Sequence, residues 1–474
     1  MSNTIKMKKW GMLSAILMLL MPGCKKEESN NQTPLDQVIK DQYGRQLILH
    51  GLNTSSSAKY GNYLPWIDES DVDREYKEFG FNYVRLLTSW VAIEPQRGVY
   101  NTEYLDQLAE RVRWYTSRGM FVMIDMHQDV YGACVGGNGH PEWSCITEGA
   151  QPIDLTGLPW WLKNIDPAAI AAWKNFWEYK DHQFLQDHYI NAWLQLVRRF
   201  KDNPYVIGYD LMNEPWPGDL VKAFISGEFE RNELPALYNR LIPAIRNIDQ
   251  NKYIFFEPLP APVTFGAPTN LPKIEDAIAD AKLVYAPHMY PYNLHEGGNY
   301  TARDEKNLRD WEVQRRKDVR TQGRIPLVCG EFGVSPSSVG YDQYLTEALD
   351  MLDRNQWHWA YWSNDRGGWS PLNEDRTETP ICAHLVRAYP KATAGRIASF
   401  SFNPNNKVFE MTYQNDGSIT EPTEIFIPRR HFPSGYHLMV ETSNPYESSY
   451  DESRQLLKLK VNGNGQVKVR VVGK

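Results

Sequence analysis

"VIGYDLMNEPWPG", residues 206–218, decides the fold. Residues 206–212 are mostly apolar, and Asn213, Glu214 and Pro215 then break the run. A strand covered on both faces reads as a near-continuous apolar run. Here the reactive groups come at its C-terminal end. If the rest of the chain repeats that order, the ends of many strands converge on one face and Glu214 is part of a site. If it does not, Glu214 is a polar residue opening a loop.

Seven further short apolar runs repeat it: "QLILHGLNT" (46–54), "YVRLLTSW" (83–90), "FVMIDMHQ" (121–128), "YIFFEPLP" (253–260), "LVYAPHMY" (283–290), "PLVCGEFG" (326–333) and "HWAYWSND" (358–365). Amphipathic stretches such as "EYLDQLAERVRWYTSRG" (103–119) suit the helices between them. Eight strand-plus-helix units predict a (β/α)8 TIM barrel over residues 39–392. An open doubly wound sheet is the rival, and it lacks a Gly-rich phosphate loop after the first strand. Every run turns polar or aromatic at its end, with Asn53, Arg85, Asp125 and His127, Asn213 and Glu214, Glu257, His288 and Tyr290, Glu331, and Trp362. In such a barrel those ends build the active site.

Glu214 closes the fourth run and Glu331 the seventh, so the two carboxylates face each other across the barrel axis. Glycoside hydrolysis uses such a pair, one carboxyl to protonate the leaving oxygen and one to attack or to activate water. Their environments must differ so that one is protonated and the other ionised. Asn213 is placed to donate to a sugar 2-hydroxyl, and Arg85 and Tyr290 to bond Glu331. Glu257 reads equally as a structural carboxylate or as a site residue.

Residues 129–184, after the third run, are too long for a simple connection. Trp160, Trp161, Trp173, Phe176 and Trp177 in this excursion either line an apolar groove or pack a helix onto the barrel. Beyond "KATAGR" (391–396) the pattern changes to period-two alternation with Asp416-Gly417, Asn462-Gly463 and Asn464-Gly465 turns. Residues 393–474 are therefore predicted to form an antiparallel β-sandwich, a stabilising or accessory domain with carbohydrate binding as the alternative.

The net charge of −7 shows no basic excess and argues against nucleic acid as a partner. Aromatics make up 13 % of the chain, with 16 Trp and 27 Tyr, which suits either a sugar-binding surface or a Trp-rich core. No His/Cys cluster has zinc-ligand spacing, and neither metal nor cofactor is expected. Cys134 and Cys145 flank a Gly-rich loop and are a candidate disulfide; spacing leaves the pairing open. Cys329, in an apolar strand, reads as a buried thiol.

At the N-terminus, Lys6, Lys8 and Lys9 precede "WGMLSAILMLLMPG" and then Cys24. The run is short for a spanning helix and reads as an export signal. Gly23-Cys24 resembles a bacterial lipoprotein signal, although Met21 and Pro22 stand where a Leu and a small residue are usual. That resemblance implies lipid on Cys24, membrane attachment in the cell envelope, and residues 25–38 as a flexible tether; plain periplasmic export or secretion is the alternative.

"DLMNEP", "CGEFG", "VRL", "DMH" and "PHMY", in order over the barrel, resemble glycoside hydrolase family 5, a clan of retaining (β/α)8 enzymes. The resemblance implies Glu214 as acid/base and Glu331 as nucleophile. Arg85, His127, Asn213, His288, Tyr290 and Trp362 would then be the supporting groups and sugar platform. "DMHQDVYG", "DLMNEPWPG" and "PTEIFIPRRHFPSGY" are similar to the endoglycosylceramidase branch, which cleaves the β-linkage between glycan and ceramide and carries a C-terminal β-sandwich. In that branch Lys59 and Asp129 correspond to contacts with the first sugar. A glycolipid or oligosaccharide is the implied partner, and monomer is the default. An endo-β-glucanase or mannanase, a β-glucosidase, and a carbohydrate-binding surface lipoprotein are the competing readings.

Overall fold

The computed structural model describes residues 37–155, 160–278 and 282–474. The signal segment, Cys24 and the tether up to residue 36 lie outside them. The side chains of Trp160 and Trp161 also lie outside the description.

β1 (Gln46–Leu47) is followed by the eight barrel strands: β2 (His50–Asn53), β3 (Tyr83–Thr88), β4 (Phe121–Met126), β5 (Val206–Asp210), β6 (Tyr253–Phe256), β7 (Leu283–Tyr285), β8 (Val328–Cys329) and β9 (His358–Tyr361). The eight run parallel in the order β7-β6-β5-β4-β3-β2-β9-β8. A parallel bridge between Tyr285 and Leu327 joins β7 to the β8 side and closes the ring. Closure leaves no free edge, which is why these strands are apolar on both faces.

Inside, Leu49, Tyr83, Met123, Phe255, Ala286 and Ala360 belong to one buried cluster. Side chains on a strand alternate, so the residue two positions on points to the same face, one layer higher. From Tyr83, Met123, Phe255, Ala286 and Ala360 that step leads to Arg85, Asp125, Glu257, His288 and Trp362. The site is thus the polar top of an apolar column.

The tail follows as β10 (Tyr389–Thr393), β11 (Gly395–Asn403), β12 (Val408–Asn415), β13 (Thr423–Phe426), β14 (Tyr436–Glu441), β15 (Tyr446–Asp451), β16 (Leu456–Val461) and β17 (Gly465–Gly473). One sheet has the order β1-β10-β13-β16-β15 and the other β11-β12-β17-β14, all antiparallel. The first run, read as one strand, is two: β1 pairs with β10 in the tail's sheet, and the chain enters the barrel only at His50. β10 crosses the 392–393 junction expected from the sequence and belongs wholly to the tail's sheet.

The excursion packs as a helix. Trp173, Phe176 and Trp177, on the helix Pro167–Trp177, are buried and contribute no exposed groove wall. The Trp173 ring meets Tyr131 and His140 edge-on, Phe176 meets Trp177 edge-on, and the Trp177 indole donates to the Trp216 carbonyl at 2.7 Å. Cys134 and Cys145 form a disulfide within this excursion, and Cys329 is buried and free.

Candidate active site

The turn after β5 presents Glu214 with a positive φ of 42°, a left-handed conformation unusual for a residue with a Cβ. Gln128 holds that turn by donating its amide to the carbonyls of Asn213 at 2.8 Å and Glu214 at 2.9 Å. Below, the backbone N–H of Glu214 donates to Glu257 Oε2 at 3.0 Å. The Glu214 carboxyl is aimed upward and is 25 % exposed, the most open acid of the cluster.

Arg85, fully buried, is the hub. Its Nη1 donates to Glu331 Oε1 at 2.9 Å and to Asn53 at 3.1 Å. Its Nη2 donates to Asn213 and Glu257, both at 2.9 Å, and Nε donates to Asp210 at 3.0 Å. Asp125 lies 3.0 Å from Nη2. Tyr290 donates its hydroxyl to Glu331 Oε2 at 2.9 Å, so both partners expected for Glu331 reach it, one on each oxygen. Asn213 spends an amide N–H on the Gln128 carbonyl at 2.9 Å.

His288 stands between the two acids. Its Nδ1 is 2.9 Å from Glu214 Oε1 and 3.6 Å from Glu331 Oε2, and Nε2 is 3.3 Å from Glu257 Oε1. A Cβ on Gly330 would come within 2.9 Å of that Nε2, and one on Gly333 within 2.6 Å of the Trp362 carbonyl. The two glycines of "CGEFG" are therefore clearances around Glu331. One oxygen of Glu214 and one of Glu331 lie within 4.8 Å of each other.

Two cations, Arg85 and His288, face Asp125, Asp210, Glu214, Glu257 and Glu331, so some carboxyls must keep protons. Burial pushes Glu257 up to about 8 against the pull of His288 and Arg85. Burial likewise raises Asp125 to about 6 and lifts Asp210. For His288 burial alone would favour the neutral ring, but the pull of the acidic groups Glu257, Glu331 and Glu214 outweighs it and holds the ring charged. Glu214 is opposed by burial, yet its hydrogen bond to that cation keeps it below the usual carboxylate range. The resting site thus holds an imidazolium–carboxylate pair that shares a proton.

A second pair lies beside it. Lys59 donates to Asp129 Oδ2 at 2.8 Å and sits 4.3 Å over the Trp362 ring. Burial would strip the Lys59 proton, but Asp129 outweighs it; in return Lys59 holds Asp129 ionised against burial. His127 stacks on Trp362 at 5.5 Å between ring centroids, with Nδ1 bonded to Asp125 at 2.7 Å. Burial lowers its pKa to about 3, so this ring is neutral.

All the residues singled out on the barrel converge here. Asp210 and Gln128 join them from outside the set of strand-end residues. Asp210 carries a signal in the sequence, a carboxylate inside an apolar run four positions before Glu214. Gln128 has none, since its role depends on a turn contributed by another strand.

A cavity of about 540 Å³ opens beside Trp362, lined also by Trp66, Trp369, Ser57, Asp365 and Arg366. Its size and mixed aromatic and polar lining suit a small-molecule or sugar ligand. Trp369 packs on Tyr290 at 5.9 Å, which ties the cavity wall to the Glu331 side of the site.

Known proteins resemble the chain over both the barrel and the tail. Residues 40–368 match Cellulase (glycosyl hydrolase family 5), and residues 387–471 match the glycoside hydrolase family 5 C-terminal domain. Endoglycoceramidase I of Rhodococcus hoagii is 32 % identical, over 91 % of this chain and 86 % of that protein. Endo-glycoceramidase II from a Rhodococcus species, solved as a ganglioside GM3 complex, superposes with a TM-score of 0.86 at 34 % identity, covering 93 % of this chain and all of that one. Its lactosyl-enzyme intermediate gives 0.84 at 34 % identity, covering 92 % of this chain and all of that one. The chain belongs to glycoside hydrolase family 5 and is a retaining glycoside hydrolase.

Proposed function

We propose that this enzyme is an endoglycosylceramidase, cleaving the β-linkage between the glycan and the ceramide of glycosphingolipids by double displacement. The observation that carries the chemistry is the approach of Glu214 and Glu331 to within 4.8 Å. Retaining pairs sit roughly 5–5.5 Å apart, whereas inverting pairs leave about 6.5–9.5 Å for a water between them. The substrate class rests on the likeness to endoglycoceramidases over nearly the whole folded chain.

Glu331 attacks the anomeric carbon, its two oxygens held in place by the Arg85 and Tyr290 hydrogen bonds. Glu214 protonates the departing ceramide oxygen and then, as carboxylate, takes a proton from the water that releases the glycan. Lys59 and Asp129 offer a donor and an acceptor to the first sugar, which stacks on Trp362. The adjoining cavity has room for further sugars, in keeping with release of an intact oligosaccharide.

Thin-layer analysis against gangliosides, glucosylceramide and β-glucans tests the substrate. Intact oligosaccharide plus free ceramide is expected. Inactivity on every sphingolipid, with shortening of a β-glucan, would replace this reading with the glucanase one. Sugar binding without hydrolysis of any substrate would leave a carbohydrate-binding surface protein.

We further infer that the N-terminal segment exports the enzyme and that Cys24 carries lipid, holding the catalytic barrel at the cell envelope. The Cys134–Cys145 disulfide supports an oxidising destination. Fatty-acid labelling in a bacterial host should mark the wild type and be lost in Cys24→Ala; equal labelling of both rejects the anchor.

A further inference from the structure

We propose that Glu257 is a positioning residue that arms the acid: it holds His288 with Nε2–H turned toward itself and Nδ1 toward Glu214, so that the ring exchanges a proton with Glu214. The inference rests on the reading of Glu214 as acid/base.

Three contacts make the arrangement. His288 Nδ1 meets Glu214 Oε1 at 2.9 Å, while Nε2 faces Glu257 Oε1 at 3.3 Å and, although buried, makes no hydrogen bond of ordinary geometry. Glu257 Oε2 accepts the backbone N–H of Glu214 at 3.0 Å. One buried carboxyl thus touches both the ring that holds the proton and the turn that presents the acid. Arg85 fixes Glu257 in turn, through Nη2 at 2.9 Å. The logic is that of a base oriented by a third group.

The proton shift balances. The Nδ1–H bond of the His288 imidazolium breaks and an Oε1–H bond forms on Glu214. The ring is left neutral as its Nε2–H tautomer, and the carboxylate becomes the acid. An ion pair becomes a neutral pair, a change favoured when substrate covers the partly exposed Glu214 carboxyl and expels water from it, because desolvation disfavours charge. After the leaving oxygen takes that proton, Glu214 recovers one from the attacking water and returns it to Nδ1 when the product leaves.

The groups facing this pair are Glu331 just after β8, Arg85 on β3, Asp125 on β4, Asp210 on β5, and Lys59, Asp129, Tyr290 and His295 from the segments that follow β2, β4 and β7. Glu257 is raised to about 8 chiefly by burial, so it ionises on the alkaline side of neutrality. Its new charge beside Nε2 strengthens the hold of His288 on the shared proton. The pair is therefore protected against alkaline loss, and without Glu257 the basic limb of activity falls at lower pH.

The test is the pH profile of kcat/KM on aryl β-glycosides of graded leaving-group ability, for wild type, Glu257→Gln and Glu257→Asp. In Glu257→Gln the basic limb should move acidward by about 1 unit or more, the usual reach of an adjacent charge. The loss in rate should be steepest for poor leaving groups, and Glu257→Asp should restore part of both. An unmoved limb with equal loss on all substrates would make Glu257 merely structural and overturn the inference. A wild type inactive on every β-glycoside would overturn the proposed function, and this inference with it. Should the Gln variant not fold, the ¹⁵N spectrum of labelled histidine in the wild type decides: above the basic limb, an Nε2–H tautomer at His288 is expected, and an Nδ1–H tautomer refutes it.

Discussion

Glu331→Gly is expected to lose turnover by roughly 10⁵-fold or more, the scale on which hydrolases fail when the nucleophile is removed. The variant keeps Glu214 and the sugar contacts, so the cavity left by the carboxylate should admit azide. Azide then attacks the anomeric carbon from the face Glu331 used, and the product is the α-glycosyl azide, inverted because only one displacement has occurred. The folded barrel should survive, although Arg85 loses a partner at 2.9 Å, because Asp125, Asp210 and Glu257 still surround its guanidinium. Product analysis by NMR checks the outcome. Wild-type turnover in Glu331→Gly, or a β-configured azide product, would exclude Glu331 as nucleophile.

Glu214→Ala should cost about 10²–10⁴-fold on natural glycosphingolipids, whose ceramide alkoxide is a poor leaving group that must be protonated as it departs. With a dinitrophenyl glycoside the first step needs no acid, and glycosyl-enzyme should accumulate because the second step lacks its base. A burst of dinitrophenol followed by a slow steady state is the expected trace. The substitution also removes the anion that pairs with His288 Nδ1, leaving Glu331 at 3.6 Å as the next carboxylate to that nitrogen, with Glu257 at 3.3 Å from Nε2. Equal loss on all leaving groups, with no burst, would remove Glu214 from the acid role.

Much of this site is legible along the chain because a barrel strand is a local object. Tyr83 and Arg85, Met123 and Asp125, Phe255 and Glu257 each sit two residues apart, and the strand period alone puts each pair on one face. The positions of Glu214 and Glu331 at strand ends follow in the same way. The motif "CGEFG" likewise contains its own glycines, which the structure explains as room for His288 and the Trp362 carbonyl. Other features escape a linear reading. Trp173, Phe176 and Trp177 are as apolar in a buried helix as in an open groove, and only the partners packed on them tell the two apart. The run 46–54 has one apolar pattern but two destinations, since pairing of β1 with β10 depends on a segment more than 300 residues away.

By itself, the sequence determined the barrel, the polar end of each strand, the placement of Glu214 and Glu331 at strand ends, and the sandwich, because strand periodicity and turn chemistry act over a few residues. Tertiary structure alone decided the rest: the Cys134–Cys145 pairing, the packing of the excursion helix, the convergence on Arg85, and the place of Glu257 beneath Glu214 and His288. The physical reason is that a carboxylate's role depends on which charges and donors surround it. In this barrel those neighbours come from separate strands, brought within hydrogen-bonding distance only when the ring closes.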